Sequence, residues 1–204
     1  KWSGRLDLYP LGYFMPGNDA MVADLYHEQD VKFVIGGAAS YNDGASEAVG
    51  EGHGEFTLYD SQGDPRLPDY RQVYGDILIK YKGFSLLGEY NVSTATELEG
   101  SFKEENGDAL LPTEIGEYLA LGTGYNVQLG YVTKTGYGVD FRYSGVTPEF
   151  NIAESVIMSK DGWTVGASKY FKGNDLKIQA AFSQFNQPDG ETLMVGELLF
   201  QVVF

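Results

Sequence analysis

Apolar residues recur at every second position along most of this chain, the spacing that sends successive side chains to opposite faces of a β-strand. In the segment Thr192–Phe204, one face carries Met194, Gly196, Leu198, Phe200, Val202 and Phe204. Leu176, Ile178, Ala180 and Phe182 alternate with Lys177, Gln179, Ala181 and Ser183, and Trp163, Val165 and Ala167 with Thr164, Gly166 and Ser168. Tyr137, Val139, Phe141 and Tyr143 interleave with Gly138, Asp140, Arg142 and Ser144. Tyr125, Val127, Leu129 and Tyr131 interleave with Gly124, Asn126, Gln128 and Gly130. Further strands fall near Phe84–Asn91, Gln72–Tyr81, Lys32–Tyr41 and Trp2–Leu11. The pattern predicts about nine strands, many near the roughly 9–11 residues that a tilted membrane strand requires, whereas soluble strands average about 5–6.

The connections alternate in length. Tight turns are expected around Lys82-Gly83, Lys134-Thr-Gly136 and Lys172-Gly-Asn-Asp175. Between them lie long, acidic segments, Asn42–Arg71, Val92–Tyr118 and Gly145–Gly162. Tight turns at one end and long loops at the other are the plan of an outer-membrane barrel. One connection breaks the rule. Gly12–Val31 falls where a tight turn is due, and Asn18 or Asp19 could cap a brief helix through Ala23 and Tyr26.

These features predict an all-β fold, an antiparallel up-and-down transmembrane β-barrel occupying residues 1–204 as a single domain. In hydrocarbon an unpaired backbone group costs several kcal/mol, so a membrane sheet must close on itself. Its apolar face then meets lipid and its polar face meets water. Tyr81, Phe84, Tyr131, Tyr137, Phe171 and Phe204 crowd the strand ends, where an interfacial aromatic girdle would lie. A soluble antiparallel sandwich shows the same alternation with its apolar face turned inward. Strand length and loop asymmetry favour the barrel.

Composition narrows the classes. The chain has 14 Lys+Arg, 29 Asp+Glu and a formal charge of −15, which excludes a nucleic-acid binder that works by neutralising phosphates. It has no cysteine, which excludes disulfides, thiolate metal sites and cysteine nucleophiles. Twenty-seven glycines with 15 Tyr and 12 Phe suit secreted β-sheet proteins or outer-membrane barrels. Lys1-Trp-Ser-Gly4 is not a secretory leader, so a leader would have been removed or the chain would be part of a longer one.

The ending Leu198-x-Phe200-x-Val202-x-Phe204 resembles the terminal signal by which bacterial outer-membrane proteins are read by their assembly machinery. Gly4-Arg-Leu-Asp-Leu-Tyr-Pro-Leu-Gly12, Lys32-Phe-Val-Ile-Gly-Gly-Ala-Ala-Ser-Tyr-Asn42, Phe84-Ser-Leu-Leu-Gly-Glu-Tyr90, Asp140-Phe-Arg-Tyr-Ser144 and Leu176-Lys-Ile-Gln-Ala180 follow in order. Together they resemble the C-terminal half of the phosphate-selective porin O and P family, particularly its Bacteroidota members. The resemblance implies a sixteen-stranded, commonly trimeric porin in the bacterial outer membrane, in contact with the lipid bilayer and lipopolysaccharide. It also implies that this chain lacks N-terminal strands.

Alternation places Arg5, Lys32, Lys80, Arg142 and Lys177 on the inward face, against Asp7, Asp76, Glu89, Asp140 and Glu197. The family's ladder of arginines and ring of lysines is therefore not matched, and a general or weakly cation-preferring pore is expected. Arg142 beside Asp140, Lys80 beside Glu89 on the paired strand, and Arg5 beside Asp7 could set a field across the lumen. The alternative is that they are lumen salt bridges or solvated charges without a role in selectivity.

In Val92–Tyr118, Ala109-Leu-Leu-Pro112 is too apolar for a solvated loop. It would either fold inward, with Glu104, Glu105 and Asp108 facing the basic wall, or pack on another loop or subunit. Asp60-Ser-Gln-Gly-Asp64 and Glu51-Gly-His-Gly-Glu55 could hold Ca²⁺ or bridge lipopolysaccharide, but neither has the spacing of a twelve-residue calcium loop. His27 and His53 are not spaced as zinc ligands, and no Ser-His-Asp arrangement surrounds His53, so no metal, cofactor or enzyme activity is expected. A non-conducting barrel serving as a structural or secretion-complex subunit, and a soluble carbohydrate-binding sandwich, remain the competing classes.

Overall fold

The computed structural model describes residues 1–45, 58–102, 108–150, 159–187 and 190–203. Nine strands form one sheet in sequential order: β1 (Trp2–Leu8), β2 (Lys32–Asn42), β3 (Asp69–Tyr81), β4 (Phe84–Thr96), β5 (Gly122–Val132), β6 (Tyr137–Pro148), β7 (Lys160–Lys172), β8 (Leu176–Asn186) and β9 (Thr192–Val202). Every neighbouring pair is antiparallel. The sheet is open, with β1 and β9 as its edges. The expected strands are all present, and β3 and β4 extend further toward the long loops than alternation suggested, to Asp69 and Thr96. β1 is shorter, ending before Pro10, whose ring cannot donate to the ladder.

The register fixes the two faces. One row across the sheet runs Phe33, Ile79, Leu86, Leu129, Phe141, Val165, Phe182 and Gly196, each paired with the next. A row on the opposite face runs Lys32, Lys80, Ser85, Gly130, Asp140, Gly166, Ala181 and Glu197. Leu129, Phe141, Val165, Phe182, Leu198 and Phe200 are exposed. The sheet therefore turns its apolar face outward and packs nothing of the described chain against it.

Aromatic rings gather on that face near both strand ends. Phe84 and Tyr131 meet in a tilted pair at 4.5 Å between centroids by the tight turns, where Lys169 Nζ sits 3.8 Å from the Tyr137 ring centre. Tyr125 and Tyr143 meet at 5.9 Å toward the long loops.

Both packed clusters lie against the polar face, one at each end. At the long-loop end, Leu58, Leu98, Leu121 and Tyr70 join Ile115 and Leu119 of a short helix, α1 (Pro112–Leu119), with Leu110 and Phe150 alongside. Pro112 opens α1, Glu114 accepts from the Leu111 N–H at 2.6 Å, and Ala120 closes it in the left-handed conformation. The apolar run Ala109–Pro112 is thus partly used in packing loop on loop, although Leu111 stays exposed. Glu104 and Glu105 lie outside the described residues, as do the Glu51–Glu55 cluster and Phe204. At the tight-turn end, Phe14 packs with Val34 and Leu78, flanked by Tyr9, Val22 and Leu87. No helix forms between Gly12 and Val31; the segment is a series of turns folded onto the sheet.

Candidate functional site

Between the two packed clusters the polar face forms a charged trough. Arg5, Asp7, Lys32, Asp76, Lys80, Glu89, Asp140, Arg142, Lys177 and Glu197 all point to this face, as the pairing register requires. Cavities open in it among the described residues. One, of about 560 Å³, is lined mainly by polar-face residues, among them Arg5, Asp76, Glu89 and Asn126. Another, of about 290 Å³, is lined by residues including Asp140, Arg142 and Glu197.

Arg5 is the best-defined charge. Its Nη1 and Nη2 grip Asp76 at 2.7 and 2.9 Å, a two-pronged pair that reaches over β2. Its Nη2 also lies 2.7 Å from Asp7 Oδ1, and its Nε donates to Asp7 Oδ2 at 3.2 Å. The reach is possible because Gly36 stands opposite both Asp7 and Asp76 and offers no side chain; a Cβ there would collide with the guanidinium. Glu89, opposite Asp76, accepts from Asn126 Nδ2 at 2.8 Å. Gln128 donates weakly to Asp140 at 3.5 Å.

Two lysines differ from the expected lumen charges. Lys80 is not beside Glu89; it pairs with Ser85 and is fully buried under the Gly12–Val31 segment. Its ammonium donates to the Asn18 carbonyl and to the Met21 and Ala23 carbonyls at 2.7 and 3.1 Å, and Asn18 Oδ1 shares one of these three hydrogens at 3.3 Å. Lys32 Nζ donates to the Leu11 carbonyl at 2.7 Å. Both cations are thus engaged by backbone carbonyls of the same connection. Arg142 and Lys177 remain to face Glu89, Asp140 and Glu197, with Arg5 shared between Asp7 and Asp76. With Lys80 buried and Lys32 still half-exposed, five cations against five anions by sequence becomes four against five on the open face.

Nothing in the local sequence marks the cluster under which Lys80 is buried, because Asn18 has the look of a helix cap and Asp24 and Glu28 that of solvated loop residues. The length of Gly12–Val31 at the tight-turn end was the signal that could have found them.

Leu198, Phe200 and Val202 lie on the outward face of β9, at the sheet's edge. Asp60 uses Oδ1 to accept the Gln62 and Asp64 N–H groups at 2.8 and 3.0 Å, closing its own turn. Among the described residues no group of three or more acidic or histidine side chains is arranged to hold a metal ion.

Comparison with protein-family models, curated proteins and solved structures finds no match for this chain.

Proposed function

We propose that this chain is part of the wall of an outer-membrane β-barrel that lets small hydrophilic solutes or ions diffuse passively through a water-filled lumen. The observation that carries this reading is the uncovered outward face. Ile35, Val73, Leu129, Phe141, Val165 and Phe200 are all exposed, on strands that form one continuous sheet. A contiguous apolar surface of this extent marks an interaction with membrane or protein. Its aromatic rings near the strand ends fit the two interfaces of a bilayer.

β2 to β9 are each 11–13 residues long, enough to cross at a tilt. With nine strands, β1 and β9 run in the same direction, so pairing them directly would make a parallel seam. Antiparallel closure takes an odd number of additional strands. The resemblance to the phosphate-selective porin O and P family supplies a count of about 16, wide enough for an aqueous channel. That arrangement would be a homotrimer, set among lipid and lipopolysaccharide after delivery by the outer-membrane assembly machinery. The charge balance of the trough argues for a weak cation preference over anion selectivity.

The packed clusters at both ends of the trough lend support to a second reading, a closed barrel serving as a structural subunit. Reconstitution of the full-length protein into planar bilayers separates the two. Stepwise current increments with a reversal potential favouring cations are expected. A silent protein points to the structural subunit, and a chain that stays folded without detergent refutes both membrane readings.

A further inference from the structure

We infer that Tyr9–Val31 is an inward strap that narrows the tight-turn end of the conduit and is latched there by Lys80, an inference that rests on the pore reading above. The other connections at this end are tight turns, bounded by β3 and β4, β5 and β6, and β7 and β8. This one instead folds back over the polar face of β2, β3 and β4, where Phe14 seals against Val34 and Leu78.

A polar lock accompanies that seal. The Lys80 ammonium is enclosed by the carbonyls of Asn18, Met21 and Ala23. Asn18 Nδ2 donates to Asp24 Oδ1 and Glu28 Oε1, both at 2.8 Å, tying the middle of the strap to its second half. Asp24 Oδ2 accepts the Gly83 N–H at 2.8 Å, and the Glu28 carbonyl accepts the Lys82 N–H at 2.8 Å. The strap is therefore bolted both to β3 and to the turn that follows it.

A lysine that only lined water would need none of these partners. Once buried, a charged ammonium stripped of its carbonyls is strongly disfavoured, so the charge on Lys80 holds the strap down. The strap itself carries Asp19, Asp24, Glu28 and Asp30 and no Lys or Arg. Asp24 and Glu28 are buried in the lock, whereas Asp19 and Asp30 are exposed. The narrowing is consequently acidic, which favours cations at this end.

The test compares unit conductance of the full-length protein with that of Lys80→Met, which keeps the stem and deletes the ammonium. Because Lys80→Met could fail to fold, a second variant replaces Pro10–Asp30 by a short Gly-Asn turn. Heat-modifiable migration in detergent gels reports folding of each. Expected are a rise in unit conductance of about twofold or more in both folded variants, and greater current noise in Lys80→Met. A rise in the strap-less variant alone overturns the latch, and unchanged conductance in both overturns the strap. A silent wild type beside a conducting strap-less variant overturns passive diffusion and upholds the strap; silence in all overturns both.

Discussion

The Arg5–Asp76 pair exists because of a residue with no side chain. Gly36 lies between them on β2, and alanine there would occupy the space of the guanidinium and both its carboxylate partners. Those atoms are all side-chain ends and none is backbone, and the long Arg5 side chain can swing away, so the fold should survive. Gly36→Ala is therefore expected to act like Arg5→Ala, freeing Asp7 and Asp76 to attract cations. If the chain lines a pore, as proposed, both substitutions should shift its reversal potential toward cations by about twofold in permeability ratio. If Gly36→Ala leaves selectivity unchanged while Arg5→Ala shifts it, the pair is not held in this geometry. Alternation along β1 and β3 was enough to place Arg5, Asp7 and Asp76 on one face. It could not reveal the pairing across β2, which depends on register and on the gap at Gly36. The same limit applies to Lys80: its face was legible, but its burial depended on a connection with no periodicity of its own.

At the scale of elements, the strands were legible because a half-polar sheet imposes a period of two on every residue it contains. The tight turns were legible from their glycines. Gly83 shows why: with φ at +90° its N–H meets Asp24, and any Cβ would strike the Val132 carbonyl. Gly83→Ala should thus cost about 1–3 kcal/mol of stability, from the left-handed backbone and the clash together. The measurement is the midpoint of urea unfolding of the detergent-folded protein, with Gly173→Ala as a comparison. Gly173 also has a positive φ, +53°, but a Cβ there meets nothing within 4 Å, so its cost should be smaller. Other elements were hidden for identifiable reasons. α1 spans only 8 residues, too few for a helical period to stand out, although Pro112 and Glu114 marked its start. The strap has no regular structure, and its buried positions, Phe14 with the polar Asn18, Asp24 and Glu28, follow no period, so neither spacing nor hydrophobicity betrays it. Asp19→Asn tests its charge: at an exposed position of the strap, the change should reduce cation preference with little effect on unit conductance, read from reversal potentials in asymmetric salt.

For the whole molecule, the deciding question is what covers the outward face. Alternation determines which side chains share a face, but it is silent on whether that face meets lipid, a second sheet or the closing strands of a barrel. The open sheet answers part of this, since no described element lies over Phe141 and its neighbours. Phe141 is 48% exposed, and the neighbouring rows on its face carry Tyr131 on one side and Tyr143 with Trp163 on the other. In a bilayer, arginine at that depth costs about 2–4 kcal/mol, whereas an exposed substitution in water usually changes stability by no more than about 0.5 kcal/mol. Phe141→Arg is therefore expected to block or strongly slow folding into lipid vesicles. Ser144→Arg, three residues along the same strand but on the opposite face, should fold normally and move only selectivity. The two substitutions add the same charge to the same strand, so a difference between them reports the face and not the strand. Equal tolerance of both would mean that water bathes each side of the sheet, and the membrane reading would fall with it.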